Sequence, residues 1–459
     1  MIKHLDLRDG NINKLLLEFS IPAIIGMLVM AFYVIIGRIF VGQGVGSIAL
    51  AAVTVAQPIM TIMMAFGVLI GIGATALASI RMGEQKYKEV EEIAGNATLL
   101  LIILPLVIAV IYYLFSDTFL RLFGASEEVL PYARDYMNVF MLGAIPGALS
   151  PGLNNFIRAQ GNPRFSMTTQ IIGAVINIVF NYIFIFMMGL GIKGSALATV
   201  FGQVVSMIWV LSFFFQDKSR IKLRAKNLKP KLSITLKITT IGFAPFALQL
   251  AASVQQTILN QTVKFYGGDL ALSAVGIIMS TGMLFIMPII GLSQGAQPIV
   301  GFNYGAKLYN RVKEAEKKAI FYATIFSVVS FFLIRMFAIP IVGLFSAEDP
   351  ALTELSAHAL VTFFALLPII GFQIMGSNYF QAVGKAVEST ILSLSRQVLF
   401  FIPLLLILPR FWGIEGVWRT APIADACSVL LTGAIFLSEM RKLSNMPKVP
   451  SQDVSYPES

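Results

Sequence analysis

MGEQKYKEVEE, Met82 to Glu92, returns later in the chain as YGAKLYNRVKE, Tyr304 to Glu314. Gly83 answers Gly305, and Tyr87 answers Tyr309. The same offset carries Val53 to Val275, Phe123 to Phe345, Pro146 to Pro368, and Gly191-Ile192-Lys193-Gly194 to Gly413-Ile414-Glu415-Gly416. Near the fourth apolar run it slips by one residue, so that Asn155-Phe156-Ile157-Arg158-Ala159 meets Asn378-Tyr379-Phe380-Gln381-Ala382. Agreement at one offset along most of the chain reads as an internal duplication.

The duplicated unit is hydrophobic. Of 459 residues 57% are hydrophobic and only 13% charged, with a mean hydropathy of +0.79, against about 25% charged in soluble domains. This is the composition of an all-α polytopic membrane protein. Apolar runs lie at about 15–41, 49–80, 93–115, 131–157, 165–188, 194–215, 234–264, 270–302, 318–339, 352–381, 386–409 and 414–437, each near the ~20 residues that cross a bilayer as a helix. About twelve helices are therefore expected. Most of the 34 Lys and Arg fall in the N-terminus, the alternate loops and the C-terminal tail. The positive-inside rule then puts both termini in the cytoplasm.

Six spans per unit is an even number, so the units sit the same way up, as parallel repeats with a central cavity between two lobes. The expected division is an N-lobe at 1–215, a basic linker at 216–233, a C-lobe at 234–437 and a cytoplasmic tail at 438–459. The linker is long and basic enough to let the lobes move. Its run from Lys218 to Lys231 has little aromatic interleaving, so its positive charge reads as topology and attraction to anionic lipid rather than nucleic-acid binding. Met1 to Leu16 is charged and lacks a small-residue cleavage site, so no removable signal peptide is expected. One cysteine, Cys427, and two histidines, His4 and His358, exclude a disulfide within the chain and a Cys- or His-rich metal site.

Polar residues inside the spans mark candidate sites, because such groups are costly at membrane depth and face a protein interior or wetted cavity. The first span carries Pro22, Tyr33 and Gly37. Asn177 and Asn181 stand four residues apart on one face of the fifth span, and Thr199 follows in the sixth. The seventh span presents Gln249, Gln255, Gln256 and Asn260, an uncharged polar stripe suited to a wetted cavity. Met279, Met283 and Met287 in the eighth are adaptable lining for ligands of many shapes. Arg396, Arg419 and Asp425 in the last two spans are expected to pair with one another.

On these residues the chain resembles a multidrug and toxic compound extrusion (MATE) transporter over nearly its full length. The similar features are the 6+6 duplication, Pro22 with Gly37 and Val41-Gly42, the RMGEQKYKEVEE loop, and Asn177 and Asn181 followed by Gly194-Ser195-Ala196-Leu197-Ala198-Thr199. The resemblance implies a V-shaped, two-lobed carrier in the bacterial inner membrane. It would work as a monomer and export amphipathic, often cationic compounds by alternating access, driven by H⁺ or Na⁺ entry with no other cofactor. The family's N-lobe cation and substrate site maps onto Pro22, Tyr33, Gly37, Asn177, Asn181 and Thr199. Two positions depart from the family: Gly37 and Asn181 stand where Asp is common, and no seventh-span Glu is present. None of the mapped residues loses a proton near pH 7. Coupling would then fall to Asp425, with Arg396 and Arg419. A flippase for lipid-linked precursors would need cationic residues lining the cavity, whereas the Lys and Arg lie in loops. A membrane-embedded enzyme would need a nucleophile–base or metal constellation.

Overall fold

Each helix starts and stops where local chemistry dictates. Asn11 opens the first by accepting the amides of Asn13 at 2.9 Å and Lys14 at 3.3 Å. Pro163 and Pro350 each stand at a first helical position, where the missing N–H costs least. The computed structural model describes residues 7–216, 219, 221–346 and 350–446. Residues 1–6, three residues of the linker (217, 218 and 220), residues 347–349 and the tail after 446 lie outside the described residues.

In chain order the spans are α1 (Ile12–Gly44), α2 (Ser47–Gly83), α3 (Tyr87–Leu122), α4 (Leu130–Phe140 and Ala144–Ala159 about a 3₁₀ turn), α5 (Pro163–Met187) and α6 (Gly191–Phe215). The second half repeats the order with α7 (Leu232–Gly268), α8 (Leu270–Gly305), α9 (Tyr309–Ser346), α10 (Pro350–Phe363 and Leu367–Ala382), α11 (Ala386–Trp412) and α12 (Ile414–Ser444). Ten helices are individually long and apolar enough to cross a membrane, and α10, bent by 51°, makes an eleventh. The less apolar α4 occupies the corresponding place in the first half. This is a multi-pass membrane protein built as a two-repeat carrier fold.

Backbone irregularities recur at the offset that carries Gly83 to Gly305. Gln85 (φ 61°) matches Lys307 (φ 59°), Gly46 matches Gly268, and Gly191 (φ 55°) matches Gly413 (φ 56°), all with positive φ. The kinks at Phe115 in α3 and Phe337 in α9 stand at the same offset. Gly161 answers Gly384 one residue late, where the sequence register slips.

The halves meet near the side where α1 begins and α12 ends, called here the terminal side. There one core joins Leu69, Ile70 and Leu77 of α2 to Ile238 and Ile241 of α7, and another joins Leu15, Leu16 and Phe19 of α1 to Ile289, Leu292 and Ile299 of α8. Glycines allow backbones to touch along this seam. A Cβ at Gly242 would collide with the Leu69 carbonyl, one at Gly83 with Phe302, and one at Gly305 with Ile80. Towards the other side each core stays within its own half, one from Val41 to Ala196 and the other from Leu259 to Ala424. The halves therefore converge on the terminal side and hold a cleft between them on the other.

The basic linker is held against the first half of the molecule. Its described part is docked on α3 and on Gln160 just after α4, and Glu91 and Glu92 in the second turn of α3 attract its basic residues. Lys231 Nζ lies 2.6 Å from Glu92 and Arg224 Nε 3.9 Å from Glu91. The Lys231 amide donates to Asn96 at 2.7 Å, and Ile221 is buried with its amide donating to Gln160 at 3.1 Å. Part of the basic run thus pairs with carboxylates of Met82–Glu92, the stretch that reveals the repeat.

Candidate functional site

Helical geometry, about 100° per residue, sorts the candidate residues by face. Pro22, Gly26, Tyr33, Gly37, Phe40 and Gly44 share one face of α1. That face lies along α5: Gly26 abuts Gln170, Phe40 stacks edge-on against Phe186 at 5.7 Å, and Gly44 meets Ile185. Tyr33 and Gly37 therefore look into the first half rather than across the cleft. Tyr33 is half-buried, and a Cβ added at Gly37 would meet no atom within 4 Å. Pro22 stands on the same face but ~16 Å nearer the terminal side, so the structure does not bring it to Tyr33.

Asn177, Asn181 and Thr199 do come together. The Asn177 amide donates to Thr199 Oγ1 at 3.1 Å, tying α5 to α6, and Thr199 donates to the Ser195 carbonyl at 3.1 Å. The Asn181 amide donates to both the main-chain and side-chain oxygens of Asn177, each at 3.0 Å. Both asparagines are buried, and Asn181 Oδ1 accepts no hydrogen bond. Just beyond, Ile183–Met187 forms a π turn, a distortion frequent at functional sites. Among the described residues no hydrogen bond joins Tyr33 to this cluster.

Across the molecule, the seam face of α7 at Gly242 continues outward as Gln249, Ser253, Gln256 and Asn260. These four are half-exposed, and Gln256 donates to Asn260 Oδ1 at 2.8 Å. Gln255, expected on this stripe, points about 100° away from Gln256. On α8 the seam face at Gly291 continues as Met287, Leu284, Ser280 and Gly276, with Met283 at its flank. Met279 turns aside and packs on the core of the second half. Ser253, Ser280 and Gly276 were missed, although extending the face from the seam glycines finds them. In a Cys427→Ala background, Gln256→Cys is expected to react several-fold faster with a water-soluble thiol reagent than Gln255→Cys. Equal rates would remove the wetted stripe.

The charged set divides. Arg396, inside a π turn at Ser395–Phe401, donates from Nε to Asp425 Oδ1 at 2.5 Å. Arg419 does not join them: it is half-exposed, 3.6 Å from Glu415 and over the Trp412 ring at 5.3 Å. Sequence reading missed two other buried acids, Glu316 and Glu439, and a buried arginine, Arg158. Arg158 Nη1 crosses the seam to Gln294 Oε1 at 2.7 Å.

The MatE family model matches residues 22–183 and 233–407. The multidrug export protein MepA of Staphylococcus haemolyticus (strain JCSC1435) is 27% identical over 436 residues, covering 95% of this chain and 96% of that one. MepA of Staphylococcus aureus (strain N315) is 27% identical over 417 residues, 91% of this chain and 92% of its own. Among solved structures, the outward-facing conformation of a multidrug resistance MATE family transporter of the MOP superfamily superposes with a TM-score of 0.92 at 25% identity, over 97% of this chain and 100% of that one. A MOP superfamily transporter from Pyrococcus furiosus shares the fold with a TM-score of 0.90 at 24% identity, over the same shares. With the family model covering most of two successive six-helix units, the chain belongs to the MatE family, the multidrug and toxic compound extrusion transporters.

Proposed function

We propose that this chain exports amphipathic, often cationic small molecules across the bacterial plasma membrane by alternating access, with both termini cytoplasmic and entry of H⁺ or Na⁺ as the driving force. The observation that carries the reading is the cleft, with halves in backbone contact on the terminal side and separate cores beyond it. With the termini inside the cell, this arrangement is the outward-open state. The cleft suits varied amphipathic cations: Gln249, Gln256 and Asn260 offer neutral dipoles, and Met283 and Met287 offer deformable apolar contact. A phosphate-bearing lipid would be better matched by cationic side chains than by this neutral stripe.

Dye efflux from proteoliposomes with imposed proton or sodium gradients tests the reading. The unaltered chain is expected to move the dye. Asn181→Asp sharpens the test, since the introduced carboxylate would face the two Asn177 oxygens now 3.0 Å from the Asn181 amide. Three converging oxygens in a buried site favour a cation or a proton. The variant is expected to respond to the imposed gradient several-fold more strongly than its parent. A folded variant with the parent's response would sink the role given to this cluster, and absence of dye movement by the parent would sink export itself.

A further inference from the structure

Among the described residues three acids are buried: Glu316 on α9, Asp425 on α12 and Glu439 on α12. Arg396 neutralises Asp425, and Lys385 Nζ lies 2.5 Å from Glu439. Glu316 is different. It is only 2% exposed, its Oε1 accepts no hydrogen bond, and among the described residues no Lys, Arg or His pairs with it. It lines a cavity of about 10 Å³ with Ser293, Gln297, Asn378 and Tyr379, close to the least volume that holds one water. The Tyr379 hydroxyl, which faces both Glu316 and Glu439, and the Gln297 amide nitrogen are buried. Asn378 spends its amide on the Ile374 carbonyl at 2.9 Å, which leaves its oxygen free to serve as a ligand.

A buried carboxylate with no counter-charge is costly and is relieved by a proton or a bound cation. The cavity is the size of one small ion and presents carboxylate, phenol, hydroxyl and amide groups. We infer that Glu316, Tyr379, Asn378, Gln297 and Ser293 form a binding site for a single small monovalent cation, H⁺ or Na⁺, inside the second half of the protein. The titratable and charged groups around it are Tyr379 on α10, Glu439 on α12 with its Lys385 partner, and Tyr304 on α8, all of which act on Tyr379 or on one another. The site deepens the export reading, on which its coupling role rests, by giving the driving ion a seat.

Its place gives the ion leverage. Gly291 and Gly295 of α8 press on Ile24 and Ser20 of α1, forming the seam between the halves. Ser293, Gln297 and Val300 stand about half a turn round the same helix and line the cavity. The charge on Glu316 sets how strongly it attracts the Gln297 amide N–H, so an ion that neutralises it changes the pull on the helix whose other face holds the seam shut. Occupancy can thus bias the two states only through a difference in affinity between them, and α8 carries that difference.

The test is difference infrared titration of the purified full-length protein, which reads the carbonyl stretch of a protonated carboxylic acid without requiring transport. The wild-type band is expected to vanish as pH rises, and Glu316→Gln is expected to lose it while Asp425→Asn keeps it. Should Glu316→Gln fail to fold, Tyr379→Phe is expected to shift the titration midpoint, because it removes the hydroxyl facing the site. Sodium, compared with choline at fixed pH, separates the two ions: displacement of the band marks a shared H⁺/Na⁺ site, and no displacement a proton site. A band retained by Glu316→Gln, or one insensitive to both pH and Na⁺, overturns the site. Dye exchange down its own gradient, run in parallel, reports on export alone, so either reading can fail without the other.

Discussion

Gly242→Ala is expected to open the seam and cut efflux by about tenfold or more, although it adds one methyl group. The Cβ would strike the Leu69 carbonyl, which belongs to backbone and has no rotamer with which to yield. The helices must part, and overpacking of this kind costs on the order of 1–3 kcal/mol, which shifts a two-state equilibrium by roughly 5- to 150-fold. The cost falls on the closed seam alone. Gly83→Ala acts on the same seam through Phe302, some 20 Å along α2, so the two changes should add. Ser79, fully buried beside Gly301, supplies the gauge. Ser79→Cys, in a Cys427→Ala background, should become reactive to thiol reagents only when Gly242 or Gly83 is enlarged. Unchanged protection in the Gly242→Ala protein would mean that this contact does not hold the halves together.

The largest loss of stability is expected from Asp425→Ala. Asp425 is 2% exposed and holds the Arg396 guanidinium at 2.5 Å. Removing one partner of such a buried pair leaves an uncompensated charge, at a cost of about 3–5 kcal/mol. Replacing both, as Asp425→Leu with Arg396→Met, removes the charge along with its partner and should recover most of the loss. Thermal unfolding in detergent reads both, and a single variant as stable as its parent would contradict the pairing. Asp425→Asn adds a functional arm: continued gradient-driven efflux by this variant would place coupling elsewhere than Asp425.

How far the sequence reveals this molecule depends on the range of the interaction concerned. The spans follow from local hydropathy, and most apolar runs reappear as a helix that extends a few residues beyond them, because charged ends such as Tyr87–Glu92 continue helical outside the apolar stretch. The Asn177–Asn181–Thr199 cluster was legible because an i, i+4 pair must share a face. The seam was not, since a glycine that faces lipid and one that faces a backbone are the same letter. Glu316 hid in the charged run Arg311 to Lys318, where acids ordinarily face water. Its periodicity carried a signal all the same: it continues the buried stripe Val312, Ala315, Ala319 and Ala323 of α9. Gln255 and Gln256 stand together in the sequence yet point about 100° apart. Assigning a residue to a span does not assign it to a side, and only the seam contacts orient the helices.

The glycine seam also sets how the protein changes shape. Contacts between backbones are made by dispersion forces, which lose a quarter to a half of their strength over roughly 0.5–1 Å of separation. Polar ties add to them on the terminal side and are just as short-ranged: Arg158 to Gln294, Ser20 to the Leu292 carbonyl at 3.4 Å, Asn303 to the Leu7 carbonyl at 3.1 Å, Arg311 to the Gly10 carbonyl at 2.6 Å, and Tyr322 to Asn13 at 3.3 Å. Such a joint has almost no elastic range. It behaves as a detent, gripping fully when engaged and hardly at all once displaced by a fraction of a helix diameter. Conversion between states should therefore be a single abrupt step with exponential dwell times, and force on the halves should change how often they snap apart rather than how far they lean.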